Sequence, residues 1–476
     1  MSEKTKQLKE MLFNQKKNGI DVFTEDELNA CDEFCEGYKE FLGTHKTERE
    51  VAAYVEDVAQ KNGFVKFDEF GGALNAGDRV YYANRGKAMI LCVKGKRSIK
   101  DGVRISAAHI DSPRLDLKQC PIYEQDGVGY FKTHYYGGIK KYQWVTLPLA
   151  IHGVVCKTDG KVIDVKIGED DDDFTFCISD ILPHMAQEQM KKTASEFIPG
   201  EDLDVVVGLG EKKSGDDEDK KKEKDAAKKA ILAILREKYN IEEKDFLSAE
   251  LEVVPAGKAK YLGLDRNMVL AYGQDDRICS FTSLDALLEG ETEDRTSVCL
   301  LVDKEEIGST GATGMDSRFF ENATAEVLDR MGVYSSLTLK RAMKNSMMLS
   351  SDVNSAYDPL NASLYDKKNS SFLAGGVVFN KYTGSRGKSG ASDANPEFIA
   401  KLRASLEKNN ISYQMAEMAK VDVGGGGTIA KFSAYYGMQV IDAGVAILSM
   451  HAPWEISSVR DIESAKNTYK AFLKIN

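Results

Sequence analysis

The sequence predicts an α/β protein with a central mixed sheet, interrupted by an inserted strand-rich domain, and three observations support this fold class. Helical and strand-like runs are mixed before about residue 118 and again after about residue 259. Between residues 119 and 258 the runs are strand-like, with no regular alternation of helices. Apolar residues make up 42% of the 476 residues, enough for two or three large cores. We therefore expect one domain formed by residues 1–118 and 259–476, with an insert at 119–258.

The first part of the chain begins with helical signals and continues with strands. Thr47 and Glu50 have the spacing of a capping box, and Gly63 can end the helix that follows. Its apolar stripe is Val51, Tyr54, Val55 and Val58. Three strand-like runs come next: RVYYANR, AMILCVKG and GVRISAAHI.

The insert is predicted from runs such as GYFKTHYY and LPLAIHGVVCK, which favour strands. A charged block, EKKSGDDEDKKKEK, is predicted to be a solvated loop that leads into an amphipathic helix around Ile231, Leu232 and Leu235. Acidic residues are interleaved with its lysines, which disfavours a role in nucleic-acid binding.

The second part of the chain returns to alternating elements. MVLAYG is predicted to be a strand, ICSFTSLDALLEG a helix that ends at Gly290, and SVCLLVD another strand. NPEFIAKLRASLEKNNI is predicted to be a helix capped by Asp393 or Asn395, with Pro396 in its first turn. AGVAILSM is predicted to be a late strand.

Charge and cysteine usage narrow the class of protein. The net charge of −11 is unlike the basic field of a nucleic-acid binder. No run approaches 18 apolar residues, and the first twenty residues lack the apolar core of a signal peptide. The eight cysteines form no CxxC pair, which favours reduced thiols. We expect a cytoplasmic protein without a nucleic-acid or membrane partner.

Histidine or carboxylate side chains follow five of the strand-like runs. In chain order they are His109 with Asp111, Asp275 with Asp276, Glu305 with Glu306, Asp352, and His451. A single acidic residue in such a position is usually a helix cap or turn former, and a single histidine is usually an ordinary polar residue. The joint pattern is more informative, because ligands of open α/β sheets bind beyond the carboxyl ends of the strands. These side chains are therefore expected in one crevice.

The adjacent glutamates indicate the chemistry of that crevice. Glu305 and Glu306 would repel each other at a partly buried site unless cations or a shared proton relieved them. Two histidines and several carboxylates, without a thiolate, suit zinc, or a similar ion such as cobalt or manganese. Two metal ions close together need a bridging carboxylate. One glutamate could then bind metal while its neighbour serves as a general base.

Five motifs with these residues occur in a recognisable order. They are AAHIDSPRLDLK, GQDDRICSFTSLDALL, LVDKEEIGSTGATG, SSDVNSAYDP and LSMHAPWE, supported by GDRVYYANRGKAMIL, YYGGIKKYQWVTLPLAIHG and DILPHMAQEQMKK. Together they resemble the aspartyl aminopeptidase and vacuolar aminopeptidase I family of dinuclear zinc peptidases, in particular its bacterial aminopeptidase 1 branch. The resemblance covers nearly the whole chain.

The resemblance implies a ligand set for two divalent metal ions. It makes Asp275 the carboxylate that bridges them. One ion would be completed by His109 and Asp352, and the other by Glu306 and His451.

It also implies roles for residues around the metals. Glu305 would be the general base, and Asp111 would orient the imidazole of the preceding histidine ligand from outside. The glycine run VDVGGGGTIAKF has two interpretations, a plain loop or a backbone that cradles substrate. The second would make Gly427 and Thr428 substrate-binding residues.

The function implied is removal of the N-terminal residue from short peptides. The family also implies an inserted domain that dimerises, within a homo-oligomer that is a dodecamer built from dimers. Trp454 stands where relatives often carry a basic residue, so we expect a neutral or broad substrate preference over a strictly acidic one. Two alternatives stay open: a related dinuclear-metal carboxypeptidase or deacylase, and an inactive oligomeric scaffold that retains the fold.

Overall fold

The structure is a computed structural model that describes residues 24–170, 172–210 and 225–476. Two predictions lie outside these ranges. They are the absence of a signal peptide in the first twenty residues and the solvated loop at 211–224. No helix within the described ranges combines the length and the apolar character that crossing a membrane would require.

A mixed nine-stranded sheet forms the centre of the fold. Its strands, in order across the sheet, are β1 (Val65–Lys66), β2 (Arg79–Asn84), β3 (Ala88–Val93), β13 (Ser297–Val302), β4 (Arg104–His109), β14 (Met347–Ser350), β18 (Gln439–Gly444), β16 (Val377–Asn380) and β17 (Tyr413–Met415). Every residue of β3, β13 and β4 is buried. Strands β13, β4, β14 and β18 run parallel to one another, so their carboxyl ends lie at the same edge.

Helices cover both faces of this sheet, as expected for a parallel core whose strands are buried on both sides. One face carries α1 (Glu25–Thr44), α2 (Glu48–Lys61), α4 (Gln274–Leu288), α7 (Pro396–Lys408) and α9 (Val459–Leu473). The other carries α5 (Phe319–Arg330), α6 (Ser336–Asn345) and α8 (Ala430–Tyr435). Successive residues of β13 alternate between the two cores, Cys299 in the first and Leu300 in the second.

The second sheet is antiparallel and has six strands. In order they are β8 (Val162–Ile167), β7 (Leu149–Cys156), β10 (Ala249–Pro255), β5 (Arg114–Gln125), β6 (Val128–Tyr136) and β9 (Val205–Leu209). The predicted amphipathic helix is α3 (Ala226–Tyr239), which packs on this sheet through Ile231. The α/β fold class with a strand-rich part is therefore confirmed. The domain boundaries at 118 and 258 stay a prediction.

A third, small sheet was not predicted. Its strands are β11 (Lys260–Leu262), β12 (Met268–Ala271), β20 (Glu455–Ser458), β19 (Ala446–Leu448) and β15 (Asn354–Ser355). The stretch AGVAILSM, predicted to be one strand, is divided between β18 and β19 at Val445. A Cβ atom on Gly444 would collide with the carbonyl oxygen of Asp352, so glycine permits this close approach. Strands this short show no periodicity from which a separate sheet could be inferred.

Local signals placed several helices correctly. Thr47 caps α2 with a complete capping box that includes Glu50. Of the two alternatives for α7, Asn395 is the capping residue, with Pro396 in the first turn. Helix α4 begins four residues before the predicted start at Ile278, in a first turn with non-helical backbone angles.

Candidate metal centre and active site

Three neighbouring parallel strands of the central sheet carry predicted site residues at their carboxyl ends. His109 is the last residue of β4, Asp352 follows β14, and Glu305 and Glu306 lie in a short 3-10 turn after β13. Strand β4 lies between the other two. The His109 Nε2 atom is consequently 3.9 Å from Asp352 Oδ1. Donor atoms of His109, Glu305 and Asp352 lie within 4.8 Å of one another.

The remaining two predicted ligands come from the third sheet. Asp275 lies in the first turn of α4, just after β12, and its peptide bond to Asp276 is cis. His451 follows β19 in a loop and has a positive φ of 65°. All five strand ends thus meet in one crevice, but they come from two sheets. The sequence pattern does not distinguish these two sheets from a single open sheet.

The carboxylate of Asp275 lies between the two histidines. Its Oδ1 atom is 3.2 Å from His109 Nε2, and its Oδ2 atom is 3.3 Å from His451 Nε2. Glu306 Oε2 is 3.7 Å from the same His451 nitrogen. Each imidazole donates a hydrogen bond from Nδ1 to a backbone carbonyl, that of Asp111 at 3.0 Å and that of Gly138 at 2.9 Å. In its neutral form each imidazole therefore keeps a lone pair on Nε2, which faces the centre.

The fully buried carboxylate of Asp111 connects two parts of the crevice. Its Oδ1 atom is 3.3 Å from His109 Nδ1. It also accepts the backbone N–H groups of Glu305 and Glu306, both at 3.2 Å. The predicted orienting residue therefore contacts both the histidine and the turn that carries the two glutamates.

Glu455 is a buried residue at this site that the sequence analysis missed. One of its carboxylate oxygens accepts the N–H of Asp275 at 3.0 Å, and the other accepts the N–H of His451 at 2.7 Å. Burial raises the pKa of Glu455 to about 8. A sequence signal existed, since Glu455 stands four residues after His451 in the motif LSMHAPWE. Only the fold shows that it also holds Asp275.

The pKa values of the carboxylates in the crevice shift in opposite directions. Burial, reinforced by the negative charge of Asp275, raises the pKa of Glu306 well above its usual range. Burial likewise raises the pKa of Glu305 to about 7. Burial alone would also raise the pKa of Asp275, but the adjacent imidazoles of His109 and His451 outweigh it and lower that pKa. The crevice therefore concentrates more negative charge than its two histidines neutralise.

These residues fit the binding of metal ions. Within the described ranges, Asp275 Oδ1 and Glu306 Oε1 are buried atoms without a hydrogen-bond partner. The ion-pair partners of Asp275, Glu306 and Asp352 in the same ranges are histidines rather than lysine or arginine. Imidazole nitrogens and carboxylate oxygens form a donor set suited to zinc.

A cavity of about 720 Å³ opens from this crevice. Asp275, Glu305, Glu306, Asp352 and His451 line one end, and the glycine run Gly424–Gly427 with Thr428 lines another part. The Thr428 hydroxyl donates a hydrogen bond to Asp442 Oδ1 at 2.6 Å, so it is engaged within the protein. The glycines contribute backbone without side chains, which leaves room beside the carboxylates.

Comparison with known proteins identifies the family. Residues 41–473 match the model of the family described as aminopeptidase I zinc metalloprotease (M18). The chain belongs to the M18 family. It is thus a zinc metalloprotease of the aminopeptidase type, and the resemblance seen in the sequence motifs is confirmed.

Relatives of this M18 chain match it over nearly their whole length. A probable M18 family aminopeptidase 1 from Clostridium acetobutylicum is 53% identical over 465 residues, which cover 97% of this chain and 99% of the relative. The crystal structure of an M18 family aminopeptidase from Thermotoga maritima is 40% identical and has a TM-score of 0.92, covering 98% of this chain and 100% of that one. A structure described as the mApe1 dodecamer of S. cerevisiae is 21% identical, with a TM-score of 0.72 and coverage of 94% and 97%, and it shares the fold.

Proposed function

We propose that this M18 protein removes the N-terminal residue from short peptides with a dinuclear metal centre and a glutamate general base. One observation carries the proposal: the two oxygens of the Asp275 carboxylate each approach a different histidine Nε2, at 3.2 and 3.3 Å. A carboxylate placed in this way can bridge two ions, as two-metal hydrolases require.

The distances support an assignment of ligands to two sites. The His109 site would comprise His109, Asp352 and one oxygen of Asp275, because Asp352 is the carboxylate 3.9 Å from that histidine. The His451 site would comprise His451, Glu306 and the other oxygen of Asp275, because Glu306 is 3.7 Å from His451 Nε2. Zinc is the ion that the family description favours, and two ions per chain is part of the proposal.

Glu305 is the proposed general base. When bound, the metal ions act as Lewis acids toward the scissile carbonyl and the attacking water. Glu305 shares the crevice but has no histidine ion pair among the described residues, so its carboxylate stays available. It would take a proton from water and return it to the leaving amine.

The charged residues of the cavity wall bear on the proposed neutral or broad substrate preference. Arg386, Lys388 and Lys420 line the cavity and could face an acidic side chain. Lys388 is already 3.0 Å from Asp393 Oδ2, and Glu417 adds a negative charge to the wall. Among the described residues neither Arg386 nor Lys420 has an ion pair, so the wall carries charges of both signs. The neutral or broad preference expected from the sequence stays a proposal. Gly427 and Thr428 remain proposed substrate contacts through their backbone.

We further propose a homo-oligomer built from dimers, with residues 119–258 as the dimerisation domain. This range contains α3 and the second sheet apart from residues 114–118 of β5. The fold shared with the S. cerevisiae dodecamer supports this assembly. A closed shell would favour short peptides by excluding folded proteins. The cytoplasmic location predicted from the sequence belongs to the same proposal.

Metal analysis combined with a substrate panel tests the function. Chelator-stripped protein should lack activity and regain it as two zinc ions bind. Activity is measured as hydrolysis of leucyl- and aspartyl-4-nitroanilide. N-acylated amino acids and peptides with a blocked N-terminus should not be cleaved, because they are substrates of deacylases and carboxypeptidases. Full activity without metal would refute the mechanism. Cleavage confined to blocked substrates would support the rival hydrolases, and metal binding without hydrolysis of any substrate would support a scaffold.

A further inference from the structure

A three-residue segment that begins at the end of β6, Tyr136–Gly138, contacts His451 itself and also Asp111, the residue beside His109. Strand β6 belongs to the second sheet, whereas the histidines follow strands of the other two sheets. The segment belongs to the sequence YYGG, which the motif comparison noted without a role. We propose that the 136–138 segment positions the ligands of both metal sites, Tyr136 acting through Asp111 and Gly138 through its carbonyl. This inference rests on the proposed dinuclear centre.

Tyr136 acts on the His109 site through one hydrogen bond. Its hydroxyl donates to Asp111 Oδ2 at 2.8 Å, and Asp111 Oδ1 lies 3.3 Å from His109 Nδ1. The tyrosine ring is held in place because the Arg114 guanidinium lies 3.8 Å above its centroid. Tyr136 and Arg114 are also direct partners in the β5–β6 register. Asp111 is thus fixed from the second sheet and in turn fixes the imidazole.

Gly138 acts on the His451 site without an intermediary. Its carbonyl oxygen accepts the Nδ1 hydrogen of His451 at 2.9 Å, which leaves Nε2 as the metal-binding atom. A Cβ atom at this position would lie 3.3 Å from the same Nδ1, tighter than an ordinary contact. His451 is otherwise partly exposed, with 35% of its side chain accessible. An imidazole on a loop needs such a partner to keep one orientation.

Gly137 allows the 136–138 segment to pass close to the proposed metal ligands. Its φ of 74° lies in the left-handed region, and a Cβ atom there would be 3.2 Å from Glu306 Oε2 and 3.3 Å from Pro113. The backbone therefore passes directly beside a proposed ligand carboxylate. Two glycines after Tyr136 allow one turn of chain to touch both metal sites.

The test measures metal binding as well as turnover. Zinc and cobalt(II) affinities of chelator-stripped protein are measured by competition with a chromophoric chelator, for wild type, Tyr136→Phe, Gly138→Ala and Tyr135→Phe. Tyr136→Phe keeps the ring on Arg114 and removes only the hydroxyl. Asp352→Asn and Glu306→Gln serve as references that mark the His109 site and the His451 site.

Tyr136→Phe should lower the affinity of the His109 site, identified by the Asp352→Asn reference, by roughly 10–100-fold, the usual effect of losing such an outer partner. The affinity of the other site should not change. Gly138→Ala should lower the metal affinity of the His451 site, which the Glu306→Gln reference identifies. Because Tyr136 acts through Asp111, its effect should largely disappear in an Asp111→Asn background. Tyr135→Phe, on the neighbouring exposed side chain, should bind both ions as wild type does.

Unchanged affinity of both ions in Tyr136→Phe would overturn the inference, and so would equal weakening of both, which indicates general loss of structure. Effects of Tyr136→Phe and Asp111→Asn that simply add would also overturn it. The wild-type titration separately tests the proposed function. If wild type binds fewer than two ions, the dinuclear centre is wrong. If it binds two and the variants match it, the centre stands and the positioning role fails.

Discussion

In the described part of the chain, two clusters of buried carboxylates neutralise their charge in different ways. The first, the metal cluster, is the proposed centre of His109, Asp275, Glu305, Glu306, Asp352 and His451. The second, the ion-pair cluster, contains Glu48, Glu250 and Glu252, whose oxygens also lie close enough together to hold a metal ion. Distances between carboxylates do not distinguish the two.

The cations supplied by the protein do distinguish them. In the ion-pair cluster, Lys87 Nζ is 3.1 Å from Glu48 and 2.5 Å from Glu250. Arg114 is 3.4 Å from Glu48 and 3.1 Å from Glu252. Glu48 and Glu252 are held by these ionic contacts rather than by well-aligned hydrogen bonds. Burial also raises the pKa of Glu252 well above its usual range, so a proton removes further charge.

The source of the compensating positive charge distinguishes one buried acidic cluster from another. Burying a charge is costly unless a partner compensates it. Where Lys and Arg supply the compensation, the charges balance within the protein, and the contact between Arg114 and Glu48 joins the second sheet to α2. Where the partners are histidines, as around Asp275, we propose that bound cations supply the compensation. Four predictions test this distinction.

The largest effect is expected for Glu305→Gln. This change keeps the size of the side chain and removes the proton acceptor, so turnover should fall by at least roughly 10²–10⁴-fold. Both ions should stay bound, because Glu305 is not a proposed ligand. Metal stoichiometry is measured beside kcat. Loss of an ion from this variant would show that the roles of the two adjacent glutamates are reversed.

Glu306→Gln should fail in a different way. Removing one ligand charge from the His451 site should make one ion labile, and excess zinc should restore part of the activity. Equilibrium dialysis at increasing zinc, followed by activity assays, measures both effects. If Glu306→Gln keeps two ions and a near-normal rate, the pair of glutamates is structural and the catalytic centre lies elsewhere.

Lys87→Met should harm the ion-pair cluster and spare the metal cluster. It leaves Glu48 and Glu250 short of a buried cation, which should lower the free energy of unfolding by about 3–5 kcal/mol. Metal content should remain two ions per chain. Lys61→Met is the matched control, since its ion pair with Asp57 is largely exposed and should contribute about 0–1 kcal/mol. Equal losses in the two variants would contradict the proposed role of Lys87.

The smallest effect concerns His152, a buried histidine whose positive charge is compensated by two carboxylates of the protein. Its ring nitrogens are each 2.9 Å from a carboxylate, Nδ1 from Glu50 and Nε2 from Glu169. Burial would lower the pKa of His152, but the hydrogen bonds to Glu169 and Glu50 outweigh it and raise that pKa. The stabilisation is therefore complete below the unfolded pKa of about 6.5 and is lost as pH rises through the folded pKa.

Denaturant unfolding at several pH values checks this sign. The free energy of unfolding should decline above pH of about 6.5 in wild type, and the decline should be smaller in His152→Gln. His134→Gln alters an exposed histidine and should leave the wild-type slope. A slope unaffected by His152→Gln would mean that His152 does not change its protonation on unfolding in this range.

Much of this protein was predictable because the signals are local. The capping box of Thr47 and Glu50 and the proline at the start of α7 act within one helical turn, so a short stretch of sequence suffices. The residues of the metal cluster were also identified from sequence, because histidine and paired glutamates directly after apolar strands are chemically conspicuous. Their roles as ligands and base rested on the family resemblance and stay proposals.

The remaining features depend on contacts between residues far apart in the chain. Strand β13 pairs with β3 and β4 although about 200 residues separate them, and no periodicity specifies that neighbour. Glu455 holds Asp275, and Gly138 holds His451 from a different sheet, through backbone groups that every residue possesses. The sequence specifies each side chain, but the partner of a backbone N–H or carbonyl group depends on how the sheets pack. For that reason the sequence determined which residues could bind metal, and the tertiary structure determined which residues hold them in place.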